Sequence, residues 1–496
     1  MIRRSLLLAS TALLLASCAV GPDFLKPSAP PEAGYTPEKP GATKSTNTPG
    51  GAAQRFVEGK DIPGQWWTLF HSEPLNQLIE EALKANPTLD AAQATLRQAQ
   101  ENVAAQKGVF FPQFDGSYST TRQQITGAQL GQSGRTFLFT VTTGQVSVGY
   151  TFDVFGGERR QLESVEAEEE FQRYQLEAAY LTISSNVVAA AIQEASLRAQ
   201  ITATQEIIAD QQQQLNVLQK QFELGAAARS AVLAQQATLN ATQATLPNLQ
   251  KQLAQQRNQL TALAGRFPSQ EVSQQFDLAS LQLPQDLPLS LPSQLVEQRP
   301  DIQSAQAQLH SASAQIGVAI ANMLPQFTIN ALYGNSVLDF AKFLSGPGIW
   351  SLGGGLTTPL FHGGTLYHQK RAAEAAFDVS AAQYRNTVII AFQNVADTLR
   401  ALQSDADALK AEVAAESTAS DNLRISRDQY RLGAINYTTL LNAETTYQTA
   451  HINRVIAQAT RYADTAALFQ ALGGGWWNRS DVAANNADPK PQQSKE

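Results

Sequence analysis

The chain has 496 residues, a net charge of −7 and only 16% charged side chains, against 43% hydrophobic ones. A deficit of basic residues excludes a surface built to hold a nucleic-acid backbone. One cysteine excludes an intrachain disulfide and a cysteine-based zinc site, and five histidines scattered along the chain argue against a histidine-rich metal centre.

Residues 1–17 open with Met1-Ile2-Arg3-Arg4 and continue through an apolar or small run to Ser17. That is a positive n-region followed by an h-region too short to span a ~30 Å hydrocarbon core, as in a signal peptide. The run ends Leu15-Ala16-Ser17-Cys18 and resembles a bacterial lipobox. The resemblance implies cleavage before Cys18 and acylation of that cysteine. Ala19, not Asp, follows it, which in bacterial lipoproteins implies export to the outer membrane. Residues 18–64 contain eight prolines and no helical pattern. They read as an acylated N-terminus and extended tether, with structure beginning near Trp66-Trp67. Residues 478–496 are polar and read as a disordered tail.

Between them the chain repeats itself. Phe222-Glu223-Leu224-Gly225-Ala226 returns as Tyr430-Arg431-Leu432-Gly433-Ala434. Asn86-Pro87 returns as Arg299-Pro300, and Pro112-Gln113-Phe114 as Pro325-Gln326-Phe327. The order is the same each time and the spacing nearly so. Two structural repeats follow, residues 65–285 and residues 286–477.

Each repeat starts with a helix, over Thr88 to Val109 and over Asp301 to Met323. Two strand-like runs come next. Val146, Val148, Tyr150, Phe152 and Val154 alternate with Ser147, Gly149, Thr151 and Asp153. Phe114 and Tyr118 stand opposite Asp115, Ser117 and Ser119. In the second repeat Phe327, Ile329, Ala331 and Tyr333 alternate with polar or small neighbours, except Leu332, and so do Trp350, Leu352, Leu356 and Leu360. One face is aromatic and apolar, the other small and polar. The pattern fits a membrane barrel with lipid outside and water inside, and also one sheet of a soluble sandwich. Four strands cannot close a transmembrane barrel, for which about eight are the minimum. Open edges are not tolerated in lipid. Strands that span a bilayer therefore require several chains to share one barrel.

Very long helices follow. Glu158 to Leu224 and Thr365 to Leu432 contain no Gly or Pro. Each has room for roughly 100 Å of helix. Their apolar residues recur every ~3.5 positions, the mark of left-handed supercoiling. The first seam runs through Ile183, Val187, Ala190, Leu197, Leu215 and Leu218, broken by Glu194, Thr204 and Gln211. The second runs through Val388, Val395, Leu399, Leu402, Leu409 and Leu423, broken by Glu416, Ser420 and Arg427. A second helix then covers Ala226 to Ala264 and Ala434 to Leu472, with Pro247 expected to kink the former. Gly225 and Gly433 mark the two hairpin turns.

Together these features resemble the lipoprotein branch of the TolC-like outer-membrane efflux proteins, the OprM and NodT group. The motifs are the lipobox with Gly21-Pro22-Asp23-Phe24, Trp66-Trp67, Asn86-Pro87, Pro112-Gln113-Phe114, Phe152-Asp153-Val154-Phe155-Gly156, Tyr430-Arg431-Leu432-Gly433 and Ala471-Leu472-Gly473-Gly474-Gly475-Trp476. The resemblance implies a mainly α chain with a small transmembrane β part, in a tandem-repeat TolC-like fold. It implies a homotrimer in which each chain gives four strands to one barrel. The long helices then form a periplasmic tunnel, whose tip docks on an adaptor linked to an inner-membrane pump, of the resistance-nodulation-division type. The function implied is a passive exit duct for drugs or other small molecules. The runner-up is a lipid-anchored periplasmic scaffold or adaptor without a pore.

Asp421, Arg424 and Asp428 share one helix face, and the resemblance implies a periplasmic gate on this helix. Leu224, Gly225 and Ala226, with Leu432, Gly433 and Ala434, are the candidate adaptor-docking residues. No enzyme is expected: there is no P-loop and no Gly-x-Ser-x-Gly. His71, His310, His362, His368 and His451 lack metal-ligand spacing. No cofactor is expected beyond a covalent lipid on Cys18.

Overall fold

A computed structural model describes residues 19–31, 34–126 and 134–480. Cys18 and residues 481–496 lie outside the described residues. The chain divides into two compact units. The first comprises residues 1–27, 95–173 and 304–385, and the second residues 28–94, 174–303 and 386–496. Each unit thus draws on both sequence repeats. No described helix is long and apolar enough to cross a membrane.

The elements recur in the same order in both halves, with matching lengths in three helix pairs. After β1 (Arg55–Glu58) come α1 (Glu73–Ala85), α2 (Pro87–Gly108), β2 (Gln113–Thr126), β3 (Thr136–Phe152), α3 (Gly157–Glu223) and α4 (Arg229–Leu263). Then follow β4 (Asp286–Leu289), α5 (Pro292–Gln298), α6 (Pro300–Ala321), β5 (Gln326–Val337), β6 (Gly348–Thr357), α7 (Thr365–Arg431) and α8 (Tyr437–Ala471). Helices α2 and α6 both have 22 residues, α3 and α7 both 67, and α4 and α8 both 35. Helix α4 continues through Pro247 as one element.

The first unit holds a four-stranded antiparallel sheet in the order β2-β3-β5-β6. Directly opposed residues share a face, so the register decides which side chains meet. Phe114, Val148, Ala331 and Leu352 form one row. Gly116, Val146, Tyr333 and Trp350 form the next, and Phe152, Phe327 and Leu356 close the helix-side end. The aromatic and apolar side chains picked out by alternation therefore lie on one face. Strands β2 and β3 are longer than that alternation suggests. Beyond Val146 the apolar parity of β3 reverses, to Val141, Phe139 and Phe137, while the ladder with β2 continues unbroken to Thr126 opposite Thr136.

Also in the first unit, residues 19–24 are clamped. Val20 N donates to Phe155 O (2.9 Å), and Arg160 Nε donates to Val20 O (3.1 Å). Arg160 Nη2 reaches Asp23 (2.6 Å), and the Phe24 ring stacks on His310 at 4.4 Å.

The second unit is built on the seams. Val187, Leu197, Leu215 and Leu218 of α3 are buried, as are Val395, Leu402 and Leu409 of α7. The polar interruptions Glu194, Thr204 and Gln211 are buried too. Glu194 survives there because Arg198 and Arg257 both approach it at 2.8 Å.

The segment that reads as a tether is instead stitched to this unit. β1 pairs in parallel with β4. Arg461 of α8, fully buried, donates to Thr43 Oγ1 (2.9 Å) and Ala52 O (2.7 Å). Gln54 Nε2 donates to Pro284 O (3.0 Å). Structure thus begins well before Trp66. The prolines bar a regular element, but they leave backbone carbonyls for buried side chains to bond. Asn478 Nδ2 likewise donates to Asp61 Oδ2 (2.7 Å) and Ile62 O (2.8 Å), so the start of the polar tail is held.

Candidate functional site

Two regions bear on function, one in each unit. In the first, the sheet has an apolar face of exposed Phe114, Tyr118, Tyr333, Trp350, Leu352 and Leu356. Its opposite face carries Asp115, Ser147, Leu332 and Ser351 in one row and Ser119, Thr143 and Ser336 in another. Strands β2 and β6 each have one unpaired edge among the described residues. Large aromatic side chains 61–75% exposed on such a face are costly in water and favourable in lipid.

In the second unit, the α3/α4 and α7/α8 hairpins end alike. Gly225 and Gly433 take φ of +75° and +74°. Ala226 N donates to Gln221 O (2.7 Å) and Gly225 N to Phe222 O (2.9 Å). Ala434 N donates to Gln429 O (2.9 Å) and Gly433 N to Tyr430 O (3.0 Å). Both are Schellman caps. Leu224 and Leu432 stand out of them 84% and 83% exposed, so six candidate docking residues form two matching bare turns.

Behind the turns, Leu218, Leu423, Tyr437, Leu440 and Ala443 form a buried cluster. Tyr430 and Tyr437 meet edge to face at 5.6 Å. Tyr437 Oη donates to Gln235, whose amide donates to Gln211 O (2.9 Å). Beside this lies a cavity of about 280 Å³ lined by Asp210, Val217, Arg427 and Tyr430 among others.

The three gate candidates are exposed on α7. Arg424 bonds Asp421 (3.3 Å), while Asp428 pairs with Arg431. The structure thus brings Asp421 and Arg424 together and gives Asp428 a different partner.

The charged residues that join helices here are others. Arg427 of α7 lies 3.4 Å from Asp210 of α3 and 3.9 Å from Glu444 of α8. Glu444 is buried, and burial raises its carboxyl from the ordinary 4.5 to about 7. The nearby Gln214 amide and Arg427 guanidinium offset that rise only in part. About three turns away along α7, Glu416 meets both His451 and Arg454. The available signal was in the heptads: Arg427 and Glu416 interrupt the α7 seam, where an apolar residue is due. No group of three or more His, Cys, Asp or Glu among the described residues is arranged to hold a metal ion.

The sequence model of the outer membrane efflux protein family matches residues 78–266 and again residues 291–474. The chain belongs to that family. This outer membrane efflux protein is 27% identical to the toluene efflux pump outer membrane protein TtgC of Pseudomonas putida, over 98% of this chain and 99% of TtgC. It is also 27% identical to the cation efflux system protein CusC of Escherichia coli, over 94% of this chain and 97% of CusC. Its fold is that of the Campylobacter jejuni outer membrane channel CmeC, with a TM-score of 0.84 at 22% identity, over 94% of this chain and 97% of CmeC. The TolC-like fold with its tandem plan, the outer-membrane location and the role of outer-membrane component in an efflux system thus stand. The family is one of outer membrane efflux proteins, not an enzyme family. The names of both relatives place them in efflux systems, one for toluene and one for cations.

Proposed function

We propose that three copies of this chain share one 12-stranded barrel and form a passive exit duct for drugs or other small molecules. The observation that carries this reading is the open sheet whose helix-side half has one aromatic, apolar face. Its unpaired β2 and β6 edges need partners if they lie in lipid, and β6 of one copy pairing with β2 of the next supplies them. In the helix-side half the inner face is mostly small and polar, interrupted by Leu332 and Ile349, and beyond Thr143 it carries Val141, Phe139 and Phe137; Asp115 is its one charged side chain among the described strand residues. That suits a conduit with little selectivity of its own. The relatives named for toluene and for cations fit the same view.

In this reading Asp421 and Asp428, threefold repeated, line the periplasmic constriction with Arg424. The turns around Leu224 and Leu432 receive the adaptor hairpins, and the pump is of the resistance-nodulation-division type. Cys18 carries the lipid. The residue after it, Ala19, packs directly on Gly156, four residues past the end of β3. A lipid attached there enters the leaflet beside the helix-side end of the apolar face.

Planar-bilayer conductance of the purified oligomer, with its stoichiometry by native mass spectrometry, tests the duct. A conducting trimer is the expected result. A monomer that does not conduct overturns it. Cysteine crosslinking at the two turns tests docking: adducts with the adaptor are expected at both, and their absence removes these turns from the docking surface.

A further inference from the structure

The loop joining β5 to β6 does not continue outward from the strand ends. It folds back over the apolar face of the sheet. Tyr118, Gly144, Asn335 and Gly348 form one row of that face, next to the row of Val146, Tyr333 and Trp350. Asn335 Nδ2 donates to Phe343 O (2.9 Å). The Phe343 ring packs edge-on against Tyr118 at 5.8 Å. It also covers Gly144, where a Cβ would stand only 2.4 Å from the ring. Glycine at 144 is therefore what lets the loop lie flat on the sheet. Asp339 starts a helical turn, Phe340–Lys342, by accepting from Ala341 N (3.1 Å).

This anchored loop turns its large apolar side chains outward. Leu338, Phe340 and Leu344 are 69%, 67% and 91% exposed. A loop in water gains nothing from that arrangement. At the same level the face changes character. The next rows are Thr120, Thr142 and Val337, then Arg122 opposite Thr140. The apolar band ends there, below a cation and a polar rim, as at the boundary between acyl chains and headgroups.

We propose that the β5–β6 loop is a membrane-interface foot, which sets Leu338, Phe340 and Leu344 into the acyl boundary of the outer leaflet beside the barrel. This rests on the reading that the sheet spans the outer membrane. The foot extends the lipid-facing aromatic rim sideways. Lys342, exposed on the same turn, stands where a lipid phosphate would meet it.

The test places a bimane label on the full-length protein at Leu344→Cys and, separately, at Phe340→Cys. Both side chains are exposed, so both variants should fold. Leu352→Cys, central on the apolar face, and Ser117→Cys, on the opposite face, serve as references. The unsubstituted chain, labelled alike, is the blank. Each is reconstituted in phosphatidylcholine vesicles with or without brominated acyl chains, and read again with aqueous iodide. Brominated lipid should quench the 344 and 340 labels ~twofold or more above the 117 label, approaching the 352 label. If 352 is quenched by lipid while 344 and 340 respond only to iodide, the foot is overturned and the spanning sheet stands. If 352 is also untouched by lipid, the spanning sheet fails and the foot with it.

Discussion

The guanidinium of Arg427 on α7 lies 3.4 Å from the carboxylate of Asp210 on α3. It ties the long helix of one hairpin to the long helix of the other. Both side chains are about half exposed, 42% and 60%, so the pair contributes under ~1 kcal/mol to folding. Its effect should be on spacing instead. Arg427→Ala and Asp210→Ala are expected to raise single-channel conductance while leaving the melting temperature within a few degrees of the parent. Conductance equal to the parent in both would remove the pair from any part in closure.

The gate candidates make a separate prediction. Asp421 is held by Arg424 and Asp428 by Arg431, each within one turn of its own helix. Neither carboxylate joins two helices, so neither substitution should loosen the bundle. Three copies of each around a constriction would still draw cations and bind them. Asp421→Ala and Asp428→Ala should therefore lower cation selectivity and relieve block by multivalent cations. Unaltered reversal potentials and unaltered block in both would show that these carboxylates face away from the pore.

Much of this was legible in the sequence, for a physical reason. Periodicity survives wherever one face of an element is uniformly buried or uniformly lipid-facing. The 67-residue helices and the aromatic rows around Val148 and Tyr333 were readable on that ground. Reading stopped where the pattern changes phase. Strand β3 keeps its ladder across Thr142 to Gly144 while its apolar parity flips, so its far half gave no signal. The stitching of Thr43 and Ala52 to Arg461 crosses more than 400 residues and follows no local pattern. Arg427 was visible only as a fault in a heptad. Its partners, Asp210 and Glu444, could not be assigned before α3, α7 and α8 were brought together.

Glu444 gives the pH prediction. Burial holds its carboxyl at about 7 in the fold, against an ordinary 4.5. The folded state thus prefers the neutral acid. The stabilisation is full below pH ~4.5, falls as pH rises through about 7, and changes little beyond. The loss is on the order of 3 kcal/mol per chain, with the opposing effect of Arg427 already included. Glu444→Gln keeps the shape without the titration. Its stability should be nearly flat between pH 5 and 8 in denaturant titrations, and above the parent at pH 8. A parent and variant with parallel pH profiles would show that Glu444 is solvated.

Gly225 and Gly265 separate backbone strain from packing. Gly225 and Gly265 adopt nearly the same φ, +75° and +72°, and both close Schellman caps. At Gly225 an added Cβ meets nothing within 4 Å. At Gly265 it would stand 2.2 Å from the carbonyl oxygen of Ala85, the last residue of α1. The neighbouring residue, Asn86, also donates its side-chain amide to Leu263 O (2.9 Å), so this junction is rigid on both sides. Gly225→Ala should therefore cost only the left-handed backbone term, about 1–2 kcal/mol. Gly265→Ala must in addition displace α1, and should cost more than ~3 kcal/mol or prevent assembly. Thermal unfolding of the two variants decides it. Equal losses would mean that the cap alone, and not its seat against α1, sets the requirement for glycine.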